Sequence, residues 1–234
     1  MSGVDLVVEA IFENLSLKQE MFRQLDSVAR PDAILASNTS GLSITAISER
    51  ATHRERMATT HFWNPPHLVP LVEVVKSPYT SEETAQTLLD FPTRVGKKPV
   101  LVRKDLPGQL ANRIFQAMIW EATNLVTEGA ATPEDVDTAI KHGLGIRLPV
   151  WGVIEHIDAV GLDMCLEIQK SVLPALNNNS LCVSALETAV REGRLSVKAG
   201  KGFYDWNDKS IVDLKKLRDE LITQTLHFRD RHKQ

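Results

Sequence analysis

Hydrophobic residues follow two patterns along the chain, and the change falls near residue 105. Before it, short runs rich in valine, isoleucine and alanine alternate with stretches of helical spacing. Short runs of this kind that end at turn residues are typical of buried strands. The runs occupy residues 5–10, 33–37, 57–62, 71–75 and 99–103. Strands that alternate with helices predict a mostly parallel, doubly wound sheet.

The amphipathic stretches between these runs predict helices. The helix after the first strand is expected to begin at a capping box of Ser16 and Gln19. The helix before the last strand is expected to begin at a second box, formed by Thr80 and Glu83. A short helix is also expected over residues 43–50.

From residue 106 onward the apolar positions follow helical spacing only. One long helix is expected to stop at Gly129, and Thr132 followed by Pro133 is a good start for the next. The remaining helices are expected over residues 150–158, 162–173 and 181–192 and in the terminal segment 209–234. The sequence therefore predicts an α/β domain followed by an all-helical domain.

The composition limits the kind of protein. The 234 residues are 43% hydrophobic with a formal net charge of −3, which predicts a globular chain and gives no reason to expect nucleic acid as a partner. No apolar run approaches membrane-spanning length, so no membrane partner is expected. Cys165 and Cys182 form no metal or disulfide pattern, and the first residues lack the basic segment of a signal peptide. These features favour a cytoplasmic location.

Three polar residues lie at or near the ends of predicted strands. They are Ser40, His61 and Glu73. Ligands bind at the carboxyl ends of the strands in open α/β sheets. A histidine with a carboxylate behind it can act as a general base, because the carboxylate fixes the tautomer and stabilises the protonated ring. Spacing alone also fits a structural histidine, and a metal hydrolase using His61 and His67 is disfavoured because no further ligands fall at suitable spacing.

Four segments resemble, in order and in approximate spacing, the signature blocks of the L-3-hydroxyacyl-CoA dehydrogenase family. They are SNTSG at 37–41, HFWNPP at 61–66, LVEVV at 71–75 and PGQLANR at 107–113. The resemblance extends from about residue 4 to residue 206 and implies oxidation of the 3-hydroxyl of an acyl-CoA, such as 3-hydroxybutyryl-CoA, with NAD. It further implies a partial Rossmann-type NAD-binding domain over 1–104 and a helical substrate-binding and dimerisation domain over 105–206 that makes a homodimer. The spacing of apolar residues in the tail, beyond the resemblance, predicts a C-terminal amphipathic helix over 207–234.

The same resemblance assigns roles to individual residues. His61 is the expected base and Glu73 its orienting partner. Ser40 and Asn112 are expected to hydrogen-bond the reacting oxygen. The residues expected to contact the cofactor are Glu13, Lys18, Ser40, Asn64 and Lys198, and those expected to contact the substrate are Ser40, Asn112 and Arg147.

Two departures from the family pattern leave alternatives open. No Gly-x-Gly-x-x-Gly turn follows a strand, so the chain is expected to begin inside the nucleotide-binding domain and to hold NAD weakly by itself; NAD and NADP are not distinguished. Arg147 and Trp151 are large residues in a region that faces the substrate by resemblance, and an arginine there suits a small free hydroxycarboxylate. A non-catalytic structural or dimerisation fragment of this fold is the remaining alternative.

Overall fold

The computed structural model describes residues 3–178 and 184–232. The chain divides into two compact units, residues 1–115 and 116–234. The first is an α/β unit and the second is helical. The predicted succession of an α/β fold and a helical fold is therefore confirmed.

The described part of the first unit contains a five-stranded sheet in the order β1-β2-β3-β4-β5. The strands are β1 (Leu6–Glu9), β2 (Ile34–Ser37), β3 (Met57–Phe62), β4 (Leu71–Lys76) and β5 (Lys98–Val102). All neighbouring pairs are parallel except β3 and β4, which are antiparallel. The loop between β3 and β4 is too short for the crossover that a parallel connection needs, so the chain reverses direction there. The expectation of a mostly parallel sheet is confirmed.

Three helices accompany these strands, α1 (Leu15–Val28), α2 (Ile44–Ile47) and α3 (Glu82–Arg94). The predicted cap of α1 at Ser16 and Gln19 is wrong. The N-cap is Asn14, whose side chain accepts a hydrogen bond from the Leu17 N–H at 3.0 Å. With Asn14 as the cap, Leu17 occupies the third helical position, and the Gln19 amide instead donates to the carbonyl of Ala46 at 2.9 Å.

The predicted cap of α3 is wrong by one residue. Ser81 is the N-cap and accepts a hydrogen bond from the Thr84 N–H at 3.0 Å. The hydroxyl of Thr80 instead donates to the carbonyl of Met57 at 2.6 Å. Thr80 therefore ties the start of α3 to β3 and is not available as a cap.

The two faces of the sheet carry separate apolar clusters. Phe22, Leu35, Ile44, Ile47 and Met57 form the buried cluster that α1 and α2 make with one face. Leu88 of α3 packs on the other face with side chains from β2, β3 and β4. Because side chains alternate along a strand, β1, β2 and β3 each contribute to both clusters. This two-sided burial explains the nearly continuous apolar runs in the sequence.

The second unit is mainly helical in its described part. The helices are α4 (Ala111–Thr127, which begins in the first unit), α5 (Pro133–Ala139), α6 (Val153–Val160), α7 (Leu162–Val172), α8 (Ser184–Arg191) and α9 (Ile211–Arg231), with a π-helical turn at Ile140–Leu144. Thr132 caps α5 as predicted, in a capping box with Asp135. Cys182 and the predicted start of α8 lie outside the described residues.

Most apolar side chains of the second unit are only partly covered. Within residues 116–178 and 184–232, Ala189 is the one hydrophobic residue that is fully buried. Large side chains such as Ile154 and Leu162 are 73% and 61% exposed. None of the described helices combines the length and the hydropathy needed to cross a membrane.

Candidate active site

His61 and Glu73 form a buried pair within the sheet. His61 lies near the carboxyl end of β3, and the antiparallel register places Glu73 of β4 directly opposite it. Residues opposite each other in such a ladder project to the same face. Nδ1 of His61 lies 2.8 Å from Oε2 of Glu73. The reversal between β3 and β4 therefore brings a base and a carboxylate together.

The polar side chains of the site continue the sheet face that α1 and α2 cover. Val7, Leu35 and Met57 belong to the apolar cluster on that face. The polar residues that follow at even spacing along the same strands are Glu9, Ser37, Thr59 and His61. Alternation along the strands thus converts one face from an apolar core into a polar row at the carboxyl end of β1, β2 and β3.

Glu73 is completely buried and accepts four hydrogen bonds. Oε2 accepts from His61 and from the indole Nε1 of Trp63 at 2.8 Å. Oε1 accepts from the backbone N–H groups of Leu110 and Ala111, at 3.1 and 2.8 Å. Burial raises the pKa of this carboxyl, but the four donors outweigh burial and lower the pKa to about 2. Glu73 is therefore ionised at neutral pH.

The charge on Glu73 determines the tautomer of His61. An ionised carboxylate only accepts hydrogen bonds, so Nδ1 of His61 carries the proton that they share. The opposite nitrogen, Nε2, then has a lone pair in the neutral ring. Nε2 lies 3.1 Å from Oγ of Ser40, which is exposed in the loop after β2. His61 is thus held as a base directed toward an exposed hydroxyl.

The loop that carries Ser40 is anchored from two sides. Oε1 of Glu13 accepts hydrogen bonds from the Thr39 hydroxyl at 2.5 Å and from the Gly41 N–H at 3.1 Å. The Gln109 amide donates to the carbonyl of Thr39 at 2.7 Å. Burial raises the pKa of Glu13, but the hydrogen bonds from Thr39 and Gly41 and the Lys18 charge outweigh burial and lower that pKa. An ionised Glu13 therefore holds the Thr39 side chain and the Gly41 backbone, which lie on either side of Ser40.

Lys18 is an internal cation. Its side chain is 1% exposed, and Nζ lies 2.7 Å from Oε1 of Glu9 and 3.4 Å from Oε2 of Glu13. The second oxygen of Glu9 accepts a hydrogen bond from Ser37 at 2.7 Å. Lys18 thus connects the end of β1 to the Glu13 carboxylate, whose side chain remains 45% exposed. Cofactor contact by Lys18 and Glu13 stays a prediction, with Glu13 the more accessible of the two.

The remaining predicted site residues lie in both units. Asn112 is in the first turn of α4, next to the Ala111 N–H that donates to Glu73. Asn64 is exposed in the loop after β3. Arg147 and Lys198 belong to the second unit, where both are exposed and Nε of Arg147 donates to the carbonyl of Gly143 at 3.0 Å. The roles of these four residues stay predictions.

Sequence reasoning missed Trp63, Gln109 and Glu9 as partners of the site. Trp63 had a signal, because it follows His61 by two residues and side chains two apart in an extended chain share a face. Glu9 had one too, as a carboxylate that ends an apolar strand. Gln109 had none: its role depends on a backbone φ of 58° that no periodicity indicates.

Together these groups can remove a proton from a hydroxyl. A neutral imidazole lone pair, an ionised carboxylate behind it and a nearby hydroxyl donor are the components of general-base catalysis with oxyanion stabilisation. Within the described residues, no cluster of three or more histidine, cysteine, aspartate or glutamate side chains could hold a metal ion.

Comparisons with known proteins match both units. The family model for the 3-hydroxyacyl-CoA dehydrogenase NAD binding domain matches residues 1–106, and that for the 3-hydroxyacyl-CoA dehydrogenase C-terminal domain matches residues 108–206. Together the two matches extend over most of the chain.

Individual relatives agree with these matches. The chain is 34% identical over 204 residues to the 5-formyl-3-hydroxy-2-methylpyridine 4-carboxylate 5-dehydrogenase of Mesorhizobium japonicum, covering 87% of this chain and 66% of the relative. It is 43% identical over 206 residues to the mitochondrial hydroxyacyl-coenzyme A dehydrogenase of Sus scrofa, covering 87% and 64%. The chain thus spans about two thirds of the length of these relatives.

A solved structure matches the whole described fold. The crystal structure of a 5-formyl-3-hydroxy-2-methylpyridine 4-carboxylic acid 5-dehydrogenase, described as an NAD+ dependent dismutase, superposes with a TM-score of 0.91 at 32% identity. The match covers 97% of this chain and 73% of that one.

Proposed function

Because this chain belongs to the 3-hydroxyacyl-CoA dehydrogenase family, we propose that it carries the catalytic base of an NAD-dependent dehydrogenase that oxidises the 3-hydroxyl of an acyl-CoA, such as 3-hydroxybutyryl-CoA. The observation that carries the proposal is the Ser40, His61 and Glu73 arrangement, in which an ionised carboxylate fixes the imidazole with Nε2 toward an exposed hydroxyl. The relative from Sus scrofa, a hydroxyacyl-coenzyme A dehydrogenase, supports this substrate class.

The groups at the carboxyl ends of β1 and β2 are suited to part of a dinucleotide. Glu13 is ionised and partly exposed there, so its free acceptor capacity matches ribose hydroxyls. NAD, when bound, supplies the acceptor for the hydride that leaves the carbon bearing the hydroxyl. Asn64 and Lys198 are proposed to contact the same cofactor. Lys18 is proposed to act through Glu13, whose carboxylate it holds.

The residues of the chain then perform the proton chemistry. Nε2 of His61 takes the proton from the substrate hydroxyl while hydride leaves the carbon that bears this hydroxyl, and a ketone results. Glu73 stabilises the imidazolium that forms. Ser40 and Asn112 are proposed to donate hydrogen bonds to the substrate oxygen. The proton passes from His61 to solvent before the next turnover, so the reaction yields the ketone, the reduced cofactor and one proton.

The experiment that tests this proposal compares two histidine variants. His61→Ala should lower kcat by about 10³-fold, within the range for loss of a general base. NADH binding, followed by cofactor fluorescence, should be nearly unchanged because His61 acts on the substrate. The matched control is His67→Ala, an exposed histidine in the loop after the same strand, which should keep full turnover. Equal losses of turnover and NADH binding in His61→Ala would contradict the assignment.

A second candidate function is oxidation of a small hydroxycarboxylate held by Arg147. Two observations favour it: the chain superposes on a pyridine-carboxylate dehydrogenase with a TM-score of 0.91 over 97% of its length, and Arg147 makes no ion pair with any described residue. A guanidinium can bind a carboxylate with two parallel hydrogen bonds.

Arg147→Ala distinguishes the two candidates. If a free acid is the substrate, kcat/KM for hydroxycarboxylates should fall about 100-fold, while the value for an acyl-CoA changes little. Lys141→Ala is the control, because Lys141 is also exposed in the preceding helical turn but pairs with Asp137. Equal effects of Arg147→Ala on both substrates would remove the second candidate.

We also propose that the chain forms a homodimer through its helical unit and acts in the cytoplasm. The exposed apolar side chains of the second unit support the dimer. The cytoplasmic location stays a prediction from the sequence, and the mitochondrial relative from Sus scrofa gives the alternative compartment.

A further inference from the structure

Trp63 contacts the carboxylate that the candidate base depends on. Its indole Nε1 donates to Oε2 of Glu73 at 2.8 Å. The same oxygen accepts the hydrogen bond from Nδ1 of His61 at the same distance. Trp63 is thus a second donor on the oxygen that orients His61, and the proposed mechanism gives it no task.

The two donors share a limited acceptor. A carboxylate offers about four acceptor positions, and here two backbone N–H groups occupy Oε1 while His61 and Trp63 occupy Oε2. Because the neutral indole N–H also bonds Oε2, this oxygen stabilises a protonated His61 ring less than it would with His61 as its sole donor. Since His61 gains a positive charge during the reaction and Trp63 does not, the indole opposes protonation of His61.

The surroundings of His61 make Glu73 the main electrostatic influence on the ring. The ring hydrogen-bonds the Glu73 carboxylate from β4 and the Ser40 hydroxyl from the loop after β2, and the tilted ring of Trp63 lies 5.9 Å away between centroids. Within residues 3–115, no other charged side chain forms a hydrogen bond or ion pair with this ring. A change in the strength of Glu73 as an acceptor should therefore reach His61 directly.

We propose that Trp63 is a positioning residue that holds the Glu73 carboxylate in place and limits how strongly that carboxylate stabilises the protonated form of His61. The consequence for catalysis rests on the function proposed above. Removing the indole N–H would let Glu73 stabilise the imidazolium more strongly, so a higher pH would be needed to obtain the proton-accepting form of His61.

Trp63→Phe tests the proposal, because phenylalanine keeps an aromatic ring and removes the donor. The acid limb of the kcat/KM profile should move to higher pH by about one unit, as expected when one hydrogen bond to a partner carboxylate is lost. The kcat at the alkaline plateau should stay within about threefold of the wild type, and NADH affinity should not change. Should this variant fail to fold, Trp63→Met also lacks a hydrogen-bond donor and carries the same expectation.

A second measurement does not need turnover. The His61 imidazole signal, identified by its absence in His61→Ala, is titrated by NMR in labelled wild-type protein and in Trp63→Phe. The midpoint should be higher in the variant by the same amount as the acid limb. A shifted midpoint in a protein that oxidises none of the substrates would support the Trp63 proposal and contradict the dehydrogenase.

Trp120→Phe is the matched control. Its indole also donates a hydrogen bond, at 3.1 Å to the carbonyl of Asn177 in the second unit, so the variant reports the general effect of losing an indole N–H. Trp120→Phe should leave both the pH profile and the His61 midpoint unchanged. In a Glu73→Gln background, Trp63→Phe should no longer shift the midpoint. An unshifted midpoint in folded Trp63→Phe, or equal shifts in both tryptophan variants, would overturn the proposal.

Discussion

Glu73 of β4 joins β3, the residue directly after β3 and the start of α4 through one buried charge. His61 lies on β3, Trp63 follows that strand, and the Leu110 and Ala111 N–H groups open α4. The first N–H groups of a helix have no partner within the helix, so the carboxylate serves as an external cap for α4. The same atom group thus orients the base and fixes the helix that carries Asn112.

This charge should make stability depend on pH in the acid range. The pKa of Glu73 falls from 4.5 to about 2 on folding, so its contribution is fully present above pH 4.5 and is lost as pH falls from there toward 2. A shift of that size corresponds to about 3 kcal/mol. Glu73→Gln should therefore be less stable at pH 7, and its stability should fall less steeply than that of the wild type below pH 4.5.

Urea unfolding at a series of pH values from 7 to 3 measures both effects. Glu128→Gln is the control, because it removes an exposed carboxylate near the end of α4 and should leave the pH dependence unchanged. Parallel curves for Glu73→Gln and the wild type would show that Glu73 has no depressed pKa in the folded protein.

At the scale of elements, the segment before α4 carries unusual backbone. Gln109 is 4% exposed and has a φ of 58°, a region that costs most residues about 1–2 kcal/mol. Its amide donates to the Thr39 carbonyl at 2.7 Å. The segment thus connects the start of α4 to the Ser40 loop at the expense of local strain.

Two substitutions at Gln109 separate the effect of the strained backbone from that of the hydrogen bond to Thr39. Gln109→Ala removes the hydrogen bond and keeps the strain, whereas Gln109→Gly removes both. Gln109→Gly should therefore be more stable than Gln109→Ala by about 1 kcal/mol, as measured by urea unfolding. Both should show a similar loss of kcat, since both release the Ser40 loop. Recovery of kcat by glycine alone would mean that strain, and not the hydrogen bond, affects the site.

The strands and most helices were predictable because each is a local pattern. Apolar runs marked all five strands, and Thr132 with Pro133 marked the start of α5. The caps of α1 and α3 were mispredicted for a tertiary reason. Gln19 donates to Ala46 and Thr80 donates to Met57, and local spacing does not contain these distant partners.

The site was predictable in its main residues and not in its connections. Ser40, His61 and Glu73 stand beside apolar runs within recognisable blocks, so both position and motif indicated them. The contact between His61 and Glu73 depends on the antiparallel pairing of β3 and β4, and only the short loop between these strands indicates that pairing in the sequence. The burial of Lys18 between Glu9 and Glu13 was not predicted. A lysine in the first turn of a helix is usually exposed, and the local sequence does not indicate a buried carboxylate partner.

For the whole molecule, the exposed apolar side chains of the helical unit predict that two copies of the chain associate. Ile154 on α6 and Leu162 on α7 are mostly exposed in the single chain, and large exposed apolar side chains are common at protein interfaces. A second copy of the chain can cover them with its own equivalent surface. The chain should therefore sediment with the mass of two chains.

Ile154→Asp tests whether this surface forms the dimer interface. An unpaired carboxylate buried in an interface costs several kcal/mol, so the dissociation constant of the dimer should rise at least 100-fold. Val28→Asp is the control, because Val28 is 60% exposed on α1 of the first unit and its substitution should leave the dimer intact. Sedimentation equilibrium over a range of concentrations measures both variants. If the wild type sediments as one chain at every concentration, or if both variants dissociate equally, the helical unit is not the dimer interface.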